Sequence, residues 1–145
     1  MSIFVQPRPL DLSNQLLYLH AATSRLNLPF YTHATASYLM HRFATQHDIA
    51  EPNIVPILTS CILLACKMEE TLKKVKDIYA AVSAVYPSPA PFSDAQKRLV
   101  LDLEQRFMES IGYNFHFIQP QKYVIKFARK FNMNKEQTLV AWNIA

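Results

Sequence analysis

The chain has 145 residues, half of them hydrophobic and 12% aromatic, with a net charge of +4. That is enough apolar material to bury one core of its own, and interspersed acids and bases exclude a disordered or nucleic-acid-coating tail. Gly112 is the only glycine, so no phosphate-cradling loop, dinucleotide fingerprint or nucleophile elbow can be built, and most nucleotide-handling enzyme classes drop out.

Few glycines, nine prolines gathered mostly at short junctions, and repeated 3.6-residue apolar patterns predict an all-α fold with brief connections. Residues 1–11, with Pro7 and Pro9 flanking Arg8, read as an extended N-terminal arm. A first helix is expected over 12–28, with Leu16, Leu17, Leu19, Ala22, Thr23 and Leu26 inward, and Pro29 ending it. A second is expected over 32–47, with Thr32 as cap and Ala36, Leu39, Met40 and Phe43 inward.

The third, over 53–70, has almost no polar face, so it is expected at the centre of the bundle. A fourth covers 75–86, with Ile78, Tyr79, Val82 and Val85 inward, and stops at Pro87, Pro89 and Pro91. The fifth opens on Ser93 as N-cap, carries Leu99, Leu103, Phe107 and Ile111, and closes on Gly112 in a left-handed cap. Residues 114–119 read as a linker, and Pro120 opens a sixth helix reaching about residue 131. A seventh begins near Asn134 and is apolar at Leu139, Val140, Trp142 and Ile144, so the chain is expected to stop inside a second helical unit.

Cys61 and Cys66 lie five apart in an apolar run and form neither a CxxC pair nor a zinc spacing, which fits a reducing compartment. No apolar run reaches the roughly 18 residues of a membrane span, so a soluble intracellular protein is expected. His41 and His47 are six apart on one helix and face different ways, so no metal site is expected. His41 is expected instead to be buried and hydrogen-bonded between helices. No local Ser, Cys or His arrangement marks a nucleophile, and sequence separation alone neither proves nor excludes a triad. Lys122, Lys126, Arg129 and Lys130 share one face of the sixth helix, opposite Tyr123, Phe127 and Phe131. A basic stripe of that kind suits RNA or an acidic protein, while a solvated amphipathic face is the simpler account, and the same holds for Lys73, Lys74 and Lys76.

Several segments together resemble one family. LACKMEET at 64–71 is similar to the cyclin signature at the end of its third helix, and YLMHRF at 38–43 resembles the second-helix signature of transcription-type cyclins. LDLEQRFMESIGYNF at 101–115 resembles the fifth helix and its exit, and PQKYVIKFARKF at 120–131 the start of the second box in cyclins of RNA polymerase II tail kinases. The resemblance implies an all-α cyclin fold: a first box over 12–115 and the opening of a second over 116–145. The segment DLSNQ at 11–15 stands where cell-cycle cyclins carry an apolar docking patch, so that docking mode is not expected.

The resemblance further implies a nuclear, non-catalytic subunit that binds and activates a cyclin-dependent kinase acting on the RNA polymerase II C-terminal domain, with no cofactor, metal or small-molecule ligand of its own. The expected partner is the kinase catalytic subunit, with room for a further regulatory subunit and no membrane or nucleic acid. Lys67 and Glu104 are then the pair that hydrogen-bonds backbone around the kinase's regulatory helix. Leu64, Met68, Glu70, Gln105, Met108 and Phe115 form their surround. Without the resemblance, Lys67 and Glu104 would read as two ordinary solvated charges. A splicing-associated cyclin is an alternative within the family, and a DNA-bound scaffold similar to transcription factor IIB is one outside kinase activation.

Overall fold

The computed structural model describes residues 13–47, 54–86, 91–116 and 120–144, with side chains of the last segment from 123 onward. The expected N-terminal arm and residues 117–119 of the expected 114–119 linker lie outside them. Seven helices and no strands occur among the described residues: α1 (Ser13–Arg25), α2 (Phe30–Ala44), α3 (Ile54–Met68), α4 (Val75–Val85), α5 (Asp94–Ser110), α6 (Pro120–Lys130) and α7 (Lys135–Ile144). They fall into two compact units, Met1–Asn114 and Phe115–Ala145.

In the first unit α3 is the central element, packed against α2, α4 and α5, while α1 lies mainly on α4 and α2. Every residue of α3 from Ile54 to Cys66 is buried, and each fully buried Leu or Ile stabilises the unit by about 1.5–3 kcal/mol. Pro56 is tolerated because first-turn amides have no intrahelical acceptor anyway. The buried hydroxyls are satisfied within the helix: Thr59 Oγ1 donates to Val55 O at 2.7 Å and Ser60 Oγ to Ile57 O at 2.9 Å. Between α2 and α5, Phe43 and Phe107 stack with centroids 4.1 Å apart, and His47 covers the Phe43 ring at 4.4 Å.

Four helices end in the same way. At the exits of α1, α3, α5 and α6 the residues Asn27, Glu70, Gly112 and Asn132 take positive φ, and two backbone bonds close each of the first three turns, as with Leu28 N to Thr23 O and Asn27 N to Ser24 O. This is the six-to-one, five-to-two closure that satisfies orphan carbonyls. Ser93 caps α5 as expected, accepting from Gln96 N at 3.3 Å.

Several expectations give way to packing. Leu17 is exposed because it lies two residues, about 200°, from the buried Leu19 on the same helix. Pro29 does not end α1, which has already closed at Asn27; it stands at the N-cap of α2, where its fixed φ suits helix entry. Thr32 therefore stands three residues too late to cap α2: it is buried, and its hydroxyl lies 2.9 Å from that of Thr71. His41 is exposed rather than buried. The polar side chains that donate across to Ser110 O at the end of α5 are Arg42 of α2 and Gln46 just beyond it, at 3.5 and 3.4 Å.

The second unit pairs α6 with α7. Asn134 and Gln137 form a reciprocal cap at the start of α7: Gln137 N donates to Asn134 Oδ1 at 2.7 Å, and Asn134 N to Gln137 Oε1 at 3.2 Å. Tyr123, Phe127 and Phe131 form an exposed ladder along α6, with successive centroids 6.3 and 6.2 Å apart. Lys126, Arg129 and Lys130 are exposed too, and the side chain of Lys122 lies outside the described residues. Among the described residues no helix is long and apolar enough to cross a membrane.

Where α1 meets α2, the half-buried His33 stands 3.2 Å from Thr23 Oγ1 by its Nδ1, with its ring edge-on to His20 at 4.9 Å. Burial, and then the nearby His20, push the His33 pKa below its ordinary 6.5. The unfolded chain therefore binds this proton more readily, and stability is lost as pH falls below 6.5. The drop in melting temperature between about pH 7.5 and about pH 5.5 is expected to shrink in His33→Gln, measured by circular dichroism.

Candidate functional site

The nearly all-apolar α3 becomes polar only at its last turn, where Lys67 emerges beside α5. Helix geometry puts Leu64, Lys67 and Met68 on one stripe of α3, and Glu104 and Met108 on one stripe of α5. Lys67 Nζ and Glu104 Oε1 meet at 2.8 Å, with the lysine side chain 48% exposed and the glutamate 8%. The two residues that read as separate charges are thus a single bridge between helices. Lys67 also sits in the last turn of α3, where a cation complements the helix dipole.

The Glu104 carboxylate is asymmetric. Oε1 holds the lysine, whereas Oε2 is buried and has no hydrogen-bond partner among the described residues. A buried acceptor left unpaired costs on the order of 1–3 kcal/mol, so this oxygen favours any donor that can reach it.

The predicted surround is partly assembled. Leu64 is buried in the core and can only support the pair from beneath. Met68 and Met108 are half-buried against the core, and Glu70 and Gln105 are exposed. Phe115 is exposed and belongs to the second compact unit. Leu101, absent from the sequence-based set, is 44% exposed one turn before Gln105. Its signal was available: it falls off the buried face set by Val100, Leu103 and Phe107, yet it is apolar.

Neighbouring side chains hold the site in place. Thr35 Oγ1 donates to Glu69 Oε1 at 2.7 Å, so the first member of the Glu69–Glu70 pair anchors α2 to the exit of α3. The second, Glu70, takes a left-handed backbone with φ 55°, a conformation costing a non-glycine residue about 1–2 kcal/mol. The thiols of Cys61 and Cys66 are both pushed above their ordinary range by burial, and Cys61 Sγ donates to Ala36 O at 3.1 Å. Among the described residues no group of three His, Cys, Asp or Glu side chains is placed to hold a metal ion.

Two outcomes follow from this geometry. Lys67→Met strands the Glu104 carboxylate and is expected to destabilise the chain by about 1–3 kcal/mol in urea melts, with Lys67→Met/Glu104→Met recovering part of the loss. Glu70→Gly is expected to raise stability by up to about 1 kcal/mol in the same assay, because glycine takes positive φ without steric cost.

Comparison with known proteins agrees with this architecture. The cyclin N-terminal domain model matches residues 13–116. The CTD kinase subunit beta of Schizosaccharomyces pombe is 27% identical over 138 residues, 88% of this chain and 41% of that protein. Arabidopsis thaliana cyclin-T1-4 is 28% identical over 137 residues, 87% of this chain and 25% of its own, and human cyclin-L1 is 27% identical over 137 residues, 86% and 26%. The chain therefore spans less than half the length of these relatives. A crystal structure of the yeast RNA Pol II CTD kinase CTDK-1 complex contains a chain that superposes with a TM-score of 0.75 at 24% identity, covering 90% of this chain and 45% of that one. With its five-helix unit built round an apolar α3 and matched as a cyclin N-terminal domain, the chain belongs to the cyclin family.

Proposed function

We propose that the chain is the non-catalytic subunit that binds and activates a transcription-type cyclin-dependent kinase, which phosphorylates the RNA polymerase II C-terminal domain in the nucleus. The observation that carries the proposal is the Lys67–Glu104 bridge, half-open to solvent and set among Met68, Met108, Gln105 and Leu101. A cation offering donors to carbonyls and a carboxylate with a free acceptor can together hold the backbone around a partner helix. Apolar neighbours exclude water and strengthen both bonds.

Clamped in that position, the kinase's regulatory helix presents its glutamate to the lysine that orients ATP phosphates. The cyclin then acts by shifting a population of kinase conformations, with all phosphoryl-transfer chemistry on the kinase. The names of the relatives support a tail-kinase assignment: one is a CTD kinase subunit, and the others are cyclins of the T and L groups. We also read residues 116–145 as the opening of a second box, because the Tyr123, Phe127 and Phe131 ladder is an apolar face left 41–66% exposed.

Reversing the charge of Lys67 is a poor test, since it would set two carboxylates against each other and disturb the fold. Leu101→Asp/Gln105→Arg alters only exposed positions. Wild type is expected to co-purify a kinase active on polymerase tail peptide from nuclear extract, identified by mass spectrometry, and the variant to lose it by tenfold or more, a change of about 1.4 kcal/mol. Equal recovery with the variant, or no kinase with either protein, would overturn the proposal.

A further inference from the structure

A second feature lies beside the bridge. A cleft of about 390 Å³ opens where the end of α3, the start of α4 and the start of α5 meet, and all its charged lining residues are lysines: Lys67, Lys73, Lys74, Lys76 and Lys97. Between them the lining is apolar, from Leu63, Val75 and Phe92.

The charge here is not balanced from within. Among the described residues, Lys67 pairs with Glu104, while the side chains of Lys73, Lys74, Lys76 and Lys97 form no ion pair. Three of those four crowd the N-terminus of α4, with Lys74 as its N-cap and no side-chain capping bond. That end of a helix carries positive partial charge and favours carboxylates. Asp77 is the only acid in its first turn. Lysines gathered at the wrong pole of a helix, with Asp77 the one acid in that turn and no ion pair formed to Lys73, Lys74 or Lys76 among the described residues, break a local rule without an internal gain, and such breaks occur at functional or strained sites.

We infer that this cleft docks an acidic peptide segment of a protein partner, its carboxylates meeting the lysines and an apolar side chain seated against Leu63, Val75 and Phe92. The cleft's form favours peptide over nucleic acid. Phe92 is half-buried and packed at 5.1 Å against Tyr79, so no aromatic platform is offered to bases. The apolar lining suits a side chain, which a phosphate backbone does not provide. Because Lys67 belongs both to the cleft and to the bridge, the segment would run on from the surface proposed for the kinase, but the docking does not depend on that assignment.

The test uses the whole chain and a short fluorescein-labelled peptide rich in glutamate with a central leucine–phenylalanine pair, read by fluorescence anisotropy. Binding is expected to weaken steeply with salt and to fall about tenfold or more in Lys73→Gln/Lys74→Gln/Lys97→Gln. Lys74→Glu/Lys76→Glu is expected to abolish it, while Lys126→Gln/Arg129→Gln on α6 leaves it unchanged. All these positions are exposed, and thermal melts of each variant check the fold. Three results would overturn the inference: undiminished binding by both cleft variants, equal binding of the peptide with glutamine in place of glutamate, or tighter cleft-dependent binding of single-stranded RNA than of the peptide. Lys67 is left intact throughout, so loss of kinase recovery and loss of peptide binding remain separate outcomes.

Discussion

The first unit depends on one constraint: α3 has no side of its own to give to water. A helix buried from Ile54 to Cys66 needs neighbours on every side, and α2, α4 and α5 supply them. Its polar groups have to be satisfied internally, which is why Thr59 and Ser60 turn their hydroxyls back on their own helix. Its polarity is then released all at once, in a last turn that carries Lys67 to the surface.

That exit concentrates the candidate site. Within a few residues of Lys67 lie the bridge to Glu104, the anchoring bond from Thr35 to Glu69, the left-handed turn at Glu70 and the lysines that open α4. The turn at Glu70 reverses the chain with two backbone bonds, Thr71 N to Cys66 O and Glu70 N to Lys67 O. It does so without glycine, at a conformational cost that packing on either side must offset. The bridge beside this turn leaves its lysine half-exposed.

Much of the fold was legible because apolar period and chain punctuation act locally. The all-α class, the central place of α3, the Ser93 cap and the left-handed Gly112 can each be read from a few adjacent residues. The misreadings arose where a residue type has two local uses. Proline stops a helix or starts one, and Pro29 starts α2; threonine caps or packs, and Thr32 packs against Thr71. His41 carries no mark in the sequence that distinguishes a buried imidazole from a solvated one.

Sequence alone determined the helices and their order, because these rest on spacing within single segments, and four motifs in order carried the resemblance to the cyclin family. It also supplied the candidate residues Lys67 and Glu104, 37 positions apart. Only the tertiary structure decided that these two touch, that one carboxylate oxygen is left without a partner among the described residues, and that five lysines from α3, α4, α5 and the turn before α4 share one cleft. The reason is physical. A helix fixes which of its own residues share a face, but which faces meet is set by how several apolar stripes bury one another, and that sum exists only in the folded chain.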